Sequence, residues 1–499
     1  MSTKGLTIRL VSAAALLLAP LACGGGSHNT SGFGDTGGSG DTGGKGSGGK
    51  GSGGKGGGAG GDNGGAGGDN GGAGGDGGSA GGSGPGGAGG MVTFTMSNPT
   101  RPFGMHGFKY PAGVLKPTGT QQKLDDMVKA YYEKWKARYL VQRCGGTVVL
   151  TEGGTGAADG TFTVSEGHGY GMVITALMAG HDPKAQELFN GMHAVFRKFP
   201  STNEANLMDW QLLTKCPAGA DCQQPAPGCF RIDGAESGSA TDGDMDIAFS
   251  LLLADKQWGS NGAYLSEAMK VIGAVKAKDM NNMTKLPVLA DDVGPGDEFY
   301  YTTRPSDFML DHFRSFGTAT KDAFWMQSVD SIHTVIGYLQ KNASPVTGLL
   351  PDFVVNTNTA MPRPAPPKWP ADEGLTTGEY AYNSCRVPWR LATDYIASGD
   401  TRSRDALKLM NSWIKMATMG KPGSIVDGYT LDGVLSNSTS GYDLSFTAPF
   451  AVAAIADTDQ AWLDAIWANV DTAPMGTYFG DTIKMISMIV ISQNWWVPQ

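Results

Sequence analysis

The chain has 499 residues, 77 of them glycine, with 40% hydrophobic residues and a formal net charge of −9. Mild acidity without a basic run argues against a nucleic-acid partner. The glycines are unevenly spread, and their distribution divides the chain into a leader, a tether and a body of about 400 residues, large enough for a substantial core.

Residues 1–23 read as an export signal: Lys4 and Arg9 frame the start, Leu10 to Leu18 form a short apolar run, and Pro20-Leu21-Ala22-Cys23 closes it. The run is too short to span a bilayer as a helix. Cys23 followed by glycines resembles a bacterial lipoprotein cleavage site, although Pro20 stands where leucine is usual. The expectation is an exported protein at the outer surface or in the periplasm, lipid-anchored through Cys23; ordinary cleavage and free secretion is the alternative. Residues 24–90 are Gly, Ser, Asp, Lys and Asn with repeated Gly-Gly-Ala-Gly-Gly-Asp units. Such a segment cannot bury a core and reads as a flexible linker with a reach of about 45 Å.

From residue 91 onward, apolar residues recur at helical spacing between loops rich in Gly, Pro and Asn. This predicts helices over 120–138, 167–180, 183–198, 244–257, 263–278, 305–315, 320–340, 385–398, 401–419, 445–456, 459–470 and 480–493, with strand-like pieces at 92–97 and 146–151. A dozen helices of similar length suggest an all-α body of paired helices. Cys216, Cys222 and Cys229 lie close together, and with Cys144 and Cys385 they favour at least one loop disulfide in an exported protein, with an odd thiol left free. A zinc site is disfavoured, since the spacings contain no CxxC and no nearby histidine.

Two acidic segments stand at predicted helix starts. Ser165-Glu166-Gly167-His168-Gly169-Tyr170-Gly171 opens onto Met172-Val173-Ile174, and Ser239-Ala240-Thr241-Asp242-Gly243-Asp244-Met245-Asp246 opens onto Ile247-Ala248-Phe249. Small residues beside an acid admit a bulky ligand, and the helix behind holds the acid rigidly. Burial there can raise a carboxyl towards the pKa of a working general acid. Plain helix capping is the bland reading of either segment alone. Two in one chain favour a carboxylate active site. The triple Asp242-x-Asp244-x-Asp246 also mimics a calcium loop, but Ile247 and Leu253 stand where such a loop needs Gly and Glu.

These segments, with Tyr382-Asn383-Ser384-Cys385-Arg386-Val387-Pro388-Trp389-Arg390 and the ending from Tyr478 to Trp496, resemble glycoside hydrolase family 8 over roughly residues 100–499. The resemblance implies an (α/α)6 barrel for residues 91–499, with the substrate cleft where helix N-termini gather. It implies an inverting hydrolase without cofactor or metal, in which Glu166 is the proton donor and Asp242 contacts the sugar at the cleavage point. Many members carry an aspartate base where this chain has Asn383, and an amide cannot take a proton from water. A branch that includes chitosanases and licheninases has Asn there and draws a Glu from the preceding loop. Glu373 best matches that spacing; Glu379 is the runner-up, and Asp372 lies beside them.

Trp210 resembles the family's sugar-stacking tryptophan. Tyr382, Asn383, Arg386 and Tyr170 are further candidate substrate-binding residues, whereas Trp325, Trp413, Trp462 and Trp467 sit at core spacing. His168 reads as a satisfied imidazole, and Asp244 and Asp246 as capping or packing acids. The expected activity is endo-hydrolysis of β-1,4 links by a monomer whose partner is a polysaccharide, with β-glucan ahead of chitosan. A catalytically dead glycan-binding protein is the rival that Asn383 raises. A polysaccharide lyase is disfavoured, because the acids would repel a uronate chain.

Overall fold

The computed structural model describes residues 92–151, 160–233, 237–370 and 373–498. The leader, the glycine-rich linker and Asp372 lie outside them. Twelve α-helices are found among the described residues: α1 Gln121–Tyr139, α2 Ser165–Leu177, α3 Ala185–Lys198, α4 Thr241–Trp258, α5 Ala263–Lys278, α6 Leu310–Thr320, α7 Phe324–Asn342, α8 Val387–Ser398, α9 Thr401–Ala417, α10 Leu444–Ala454, α11 Gln460–Thr472 and α12 Tyr478–Ile491.

Burial divides them by parity. In α2, α4, α8, α10 and α12 almost every residue is buried, and α6 is buried over most of its length. The odd-numbered helices bury one stripe and leave the other face to water, as amphipathic helices do. The even helices touch in a closed ring, α2–α4–α6–α8–α10–α12 and back to α2, and each is backed by an odd helix. That is an (α/α)6 barrel: six apolar helices inside, six amphipathic helices outside.

Each expected helix is present, with shifts at its ends. The segment 305–315 splits into a 3-10 turn, Pro305–Asp307, and α6, because Phe308 and Met309 leave helical geometry. Residues 92–97 are not a strand. Among the described residues no strand pairs with them, and side chains satisfy the backbone instead: Thr95 N–H donates to Ser260 Oγ at 2.7 Å, and Gln186 binds Thr95 O and Ser97 N. Sequence periodicity also missed most of the small sheets, including the four-stranded one from Thr161–Val164, Gln211–Leu213, Cys222–Ala226 and Cys229–Ile232, whose strands are too short to show alternation. Cys216 pairs with Cys222 and Cys144 with Cys229, leaving Cys385 as a buried free thiol.

A second small core packs Val288, Leu289, Val293, Phe299, Tyr300, Phe353 and Val355 beside the barrel, with Trp369 against it. Trp369 lies 5.1 Å from Phe299 and donates its Nε1–H to Thr302 Oγ1. This satellite core fastens the segment that leads to Glu373.

Candidate active site

Inner-helix N-termini converge on one end of the barrel. Glu166 lies in the first turn of α2, Asp242 in that of α4, Asp307 just before α6, Arg386 just before α8, and Tyr478 starts α12. The partial positive charge of each helix start favours carboxylates there. Glycine makes the convergence of α2 and α4 feasible. A Cβ on Gly243 would meet the Ser165 side chain and lie 2.6 Å from Ser165 C, and one on Gly169 would lie 2.7 Å from Asp246 Cβ. The two acidic segments are therefore pressed backbone to backbone.

Arg386 joins them. Its Nη1 donates to Glu166 Oε2 at 2.7 Å, Asp242 Oδ2 at 2.9 Å and Tyr170 OH at 3.1 Å. Its Nη2 donates to Ser306 Oγ and to Asn383 Oδ1, and Nε to Asn383 O. Arg304 approaches Asp242 Oδ1 at 3.3 Å and holds Asp307 through Nε. Tyr478 OH donates to the free oxygen of Glu166, Oε1, at 3.1 Å.

Three carboxyls thus share two guanidinium groups, so the cluster retains a proton near neutrality. Burial pushes Glu166 up, Arg386 pulls it down and Asp242 pushes it up again, leaving it at about 7. Burial would raise Asp242 as well, but Arg304 and Arg386 outweigh it and hold that carboxyl below its ordinary value. Glu166 is also the most accessible of the three, with 17% of its side chain exposed against 5% for Asp242 and 0% for Asp307. A proton held there can be delivered outward.

The predicted residues do not all fall together. Glu166, Asp242, Asn383, Arg386 and Tyr170 form one hydrogen-bonded cluster. Tyr170 and Arg386 were expected to touch substrate; they are 0% and 2% exposed, Arg386 holding both carboxylates and Tyr170 accepting from Arg386. Tyr382 is exposed at the rim, its hydroxyl donating to Asp427 Oδ2 at 3.1 Å, with Asp443 Oδ2 at 3.4 Å and its ring 5.2 Å from Phe446. Trp210 has a half-buried indole on a backbone tied to both acidic segments, through Ser165 N–H to its carbonyl and its own N–H to Gly238 O.

Glu373 is half-buried beyond Arg304. Burial raises its carboxyl to about 7, with Arg304 opposing and Asp352 adding to the rise. Glu379 is not a freely solvated charge, since its Oε2 is buried without a hydrogen-bond partner among the described residues. His168 is fully buried and pushed down to about 4 by that burial, so it stays neutral. Asp244 accepts from Met208 N, and Asp246 pairs with His312 and Arg390, which makes both structural acids.

Arg304, Ser306, Tyr478 and Asp352 were not singled out as site residues. The first two precede α6 as Arg386 precedes α8, so counting polar residues at every inner-helix start would have found them.

The model of glycosyl hydrolases family 8 matches residues 109–493. This chain belongs to that family. It is a glycoside hydrolase. A β-glucanase of Niallia circulans is 41% identical over 411 residues, covering 81% of this chain and 93% of that one. An endoglucanase of a Bacillus species is 39% identical over 398 residues, covering 78% and 80%. The solved apo structure of a β-1,3-1,4-glucanase from Paenibacillus sp. X4 superposes with a TM-score of 0.71 at 40% identity, covering 80% of this chain and all of that one. Rex8A of Paenibacillus barcinonensis, at 17% identity and TM-score 0.59, shares the fold.

Proposed function

We propose that this family 8 enzyme cuts internal β-1,4 links of β-glucan with inversion of configuration. Glu166 is the acid, Glu373 the base, and Asp242 stabilises charge at the sugar. The observation that carries the reading is the seat of Glu166: a carboxyl with a raised pKa, held by Arg386 and Tyr478 at the start of an inner helix, with 17% of its side chain still exposed.

Glu166 gives its proton to the glycosidic oxygen as the bond from that oxygen to the anomeric carbon breaks. Positive charge develops on the anomeric carbon and ring oxygen, where ionised Asp242 attracts it. Water attacks from the opposite face and transfers its proton to Glu373, leaving a hemiacetal of inverted configuration.

A retaining mechanism with Asp242 as nucleophile is the second reading, and proximity favours it. Glu166 Oε2 and Asp242 Oδ2 both lie within 3 Å of one nitrogen, closer than the roughly 6.5–9.5 Å an inverting acid–base pair requires. Both Asp242 oxygens are occupied, however: Oδ2 by Arg386, and Oδ1 by Gly243 N at 3.0 Å and by Arg304. A carboxylate hydrogen-bonded to one guanidinium group and ion-paired with a second is a poor nucleophile, so the water-activating carboxylate comes from elsewhere. Glu373, close enough to Arg304 to feel its charge, fills that role.

The β-glucan assignment draws on the relatives named above as β-glucanase, endoglucanase and β-1,3-1,4-glucanase. The export-type leader and the glycine-rich linker support a place of action outside the cytoplasm. The test is hydrolysis of lichenan, carboxymethylcellulose and chitosan at matched pH, with the anomer first formed read by proton NMR. Lichenan should release reducing ends fastest and yield the α-anomer. An initial β-anomer would replace inversion by the Asp242 route, and faster release from chitosan would overturn the substrate.

A further inference from the structure

Asp352 belongs to none of the roles above, yet it binds the turn that carries Asn383 and leads to Arg386. It lies in the segment before Val354–Val355, is 5% exposed, and concentrates four donors on one oxygen. Oδ1 accepts Ser384 N at 2.7 Å, Ser384 Oγ at 2.8 Å, Asn383 N at 3.1 Å and Ala381 N at 3.2 Å. The donors come from the turn that ends the Glu373 loop and starts the approach to α8. Asp352 N–H in turn donates to Glu379 O at 2.8 Å, and Phe353 N–H to Thr377 O at 2.9 Å.

Asp352 therefore stitches the returning limb of the loop to the barrel. Asn383, fixed through its backbone, presents two oxygens to Arg386, and Arg386 holds Glu166 and Asp242. On the other side, the charged groups that act on Glu373 are Arg304 and Asp352. Cys385 and Tyr380 also face Asp352, and burial keeps both neutral by raising them well above their ordinary values.

We propose that Asp352 is a positioning residue for the hydrolytic reaction: it sets the Asn383–Arg386 turn under the acid and supplies the negative charge that keeps the loop base Glu373 basic. The proposal rests on the reading of Glu373 as base. Burial raises the Asp352 carboxyl above its ordinary value, and the hydrogen bonds from three backbone N–H groups and a hydroxyl oppose that rise by favouring the ionised form. With Oδ1 saturated, it serves as a fixed charge and an anchor, leaving the water to Glu373.

Two substitutions separate charge from anchorage. Asp352→Asn keeps an oxygen for the four donors and removes the charge. A less basic Glu373 is ionised at lower pH, so the acidic limb of kcat/KM should move down by about half a pH unit or more, with KM near wild type. Asp352→Ala also frees the turn and should lower kcat by about 10²-fold or more, as misplacement of catalytic groups does, while Asp352→Asn recovers much of that loss.

Glu373→Ala is measured alongside. If it is inactive and Asp352→Asn leaves the acidic limb unmoved, the role of Asp352 fails and the base stands. If Glu373→Ala keeps wild-type turnover, the base reading fails and this proposal falls with it. Azide rescue of Asp352→Ala would overturn the proposal by making Asp352 the base itself.

Discussion

Replacing Glu166 by Gln tests the acid twice, because one property of the residue serves catalysis and costs stability. Gln cannot deliver a proton, so kcat should fall by about 10²–10⁴-fold. The stability effect has the opposite sign and depends on pH. The folded pKa of about 7 lies above the unfolded value of about 4.3, so folding favours the protonated form. That preference is fully satisfied below the unfolded pKa and lost as pH rises through 7. At pH 8 the buried, ionised Glu166 therefore costs about 3.5 kcal/mol at 1.36 kcal/mol per pKa unit, and neutral Gln avoids that cost. Gln keeps an oxygen for Arg386 and an amide that Tyr478 OH can accept. Urea unfolding at pH 5 and pH 8 provides the assay, beside reducing-sugar release from lichenan. The variant should lie within about 1 kcal/mol of wild type at pH 5, exceed it by a few kcal/mol at pH 8, and be nearly inactive at both. Turnover above a third of wild type removes Glu166 from the mechanism, and equal stability at both pH values removes the raised pKa.

Two further outcomes follow from the packing and the loop. Gly243→Ala drives a methyl group to 2.6 Å from Ser165 C, where only backbone can yield; it should destabilise by about 1–3 kcal/mol and lower kcat by separating Glu166 from Asp242, read by thermal melting and initial rates. Glu373→Ala should lose nearly all hydrolysis, and azide should restore turnover as a glycosyl azide of inverted configuration; full activity without azide rejects the loop base.

Much of this was legible in the chain because helices carry a long period. Fourteen to nineteen residues of 3.6-residue repetition reveal α3, α7 and α9, whereas three- and four-residue strands such as Gln211–Leu213 offer no repeat to read. The continuous burial of α2 and α4 marks them as inner helices, and their Gly-flanked acids point to the chemistry. What the sequence does not display is the arrangement around Arg386. Glu166 and Arg386 are 220 residues apart, and one guanidinium nitrogen collects two carboxylates and a tyrosine only after the ring closes. Tyr170 and Arg386 were expected at the substrate because polar residues near a catalytic acid often touch it; here close packing of α2, α4 and the turn before α8 buries them. Asp352 was overlooked for a related reason: one aspartate in an otherwise apolar stretch gives no sign that four donors converge on it.

The two carboxyls proposed as catalytic share a pKa of about 7, so titration alone cannot say which is acid and which is base. The proposed assignment rests on their surroundings: Glu166 is held by Arg386 and Tyr478 at the start of an inner helix, while Glu373 lies on a loop anchored by Trp369, with Arg304 and Asp352 as its charged neighbours. The assignment makes the limbs of the pH profile separable. In wild type, kcat/KM should fall below pH 7 as Glu373 gains a proton and above pH 7 as Glu166 loses its own, giving a narrow bell. In Glu373→Ala supplied with azide, the nucleophile is already an anion and needs no base, so nothing remains to titrate on the acidic side. The acidic limb should flatten, and the basic limb should stay, because the leaving oxygen still needs the proton of Glu166. If instead the basic limb flattens in the rescued variant, Glu373 is the acid and Glu166 the base. If neither limb changes, the profile reports other groups, and the roles given to both carboxyls fail together.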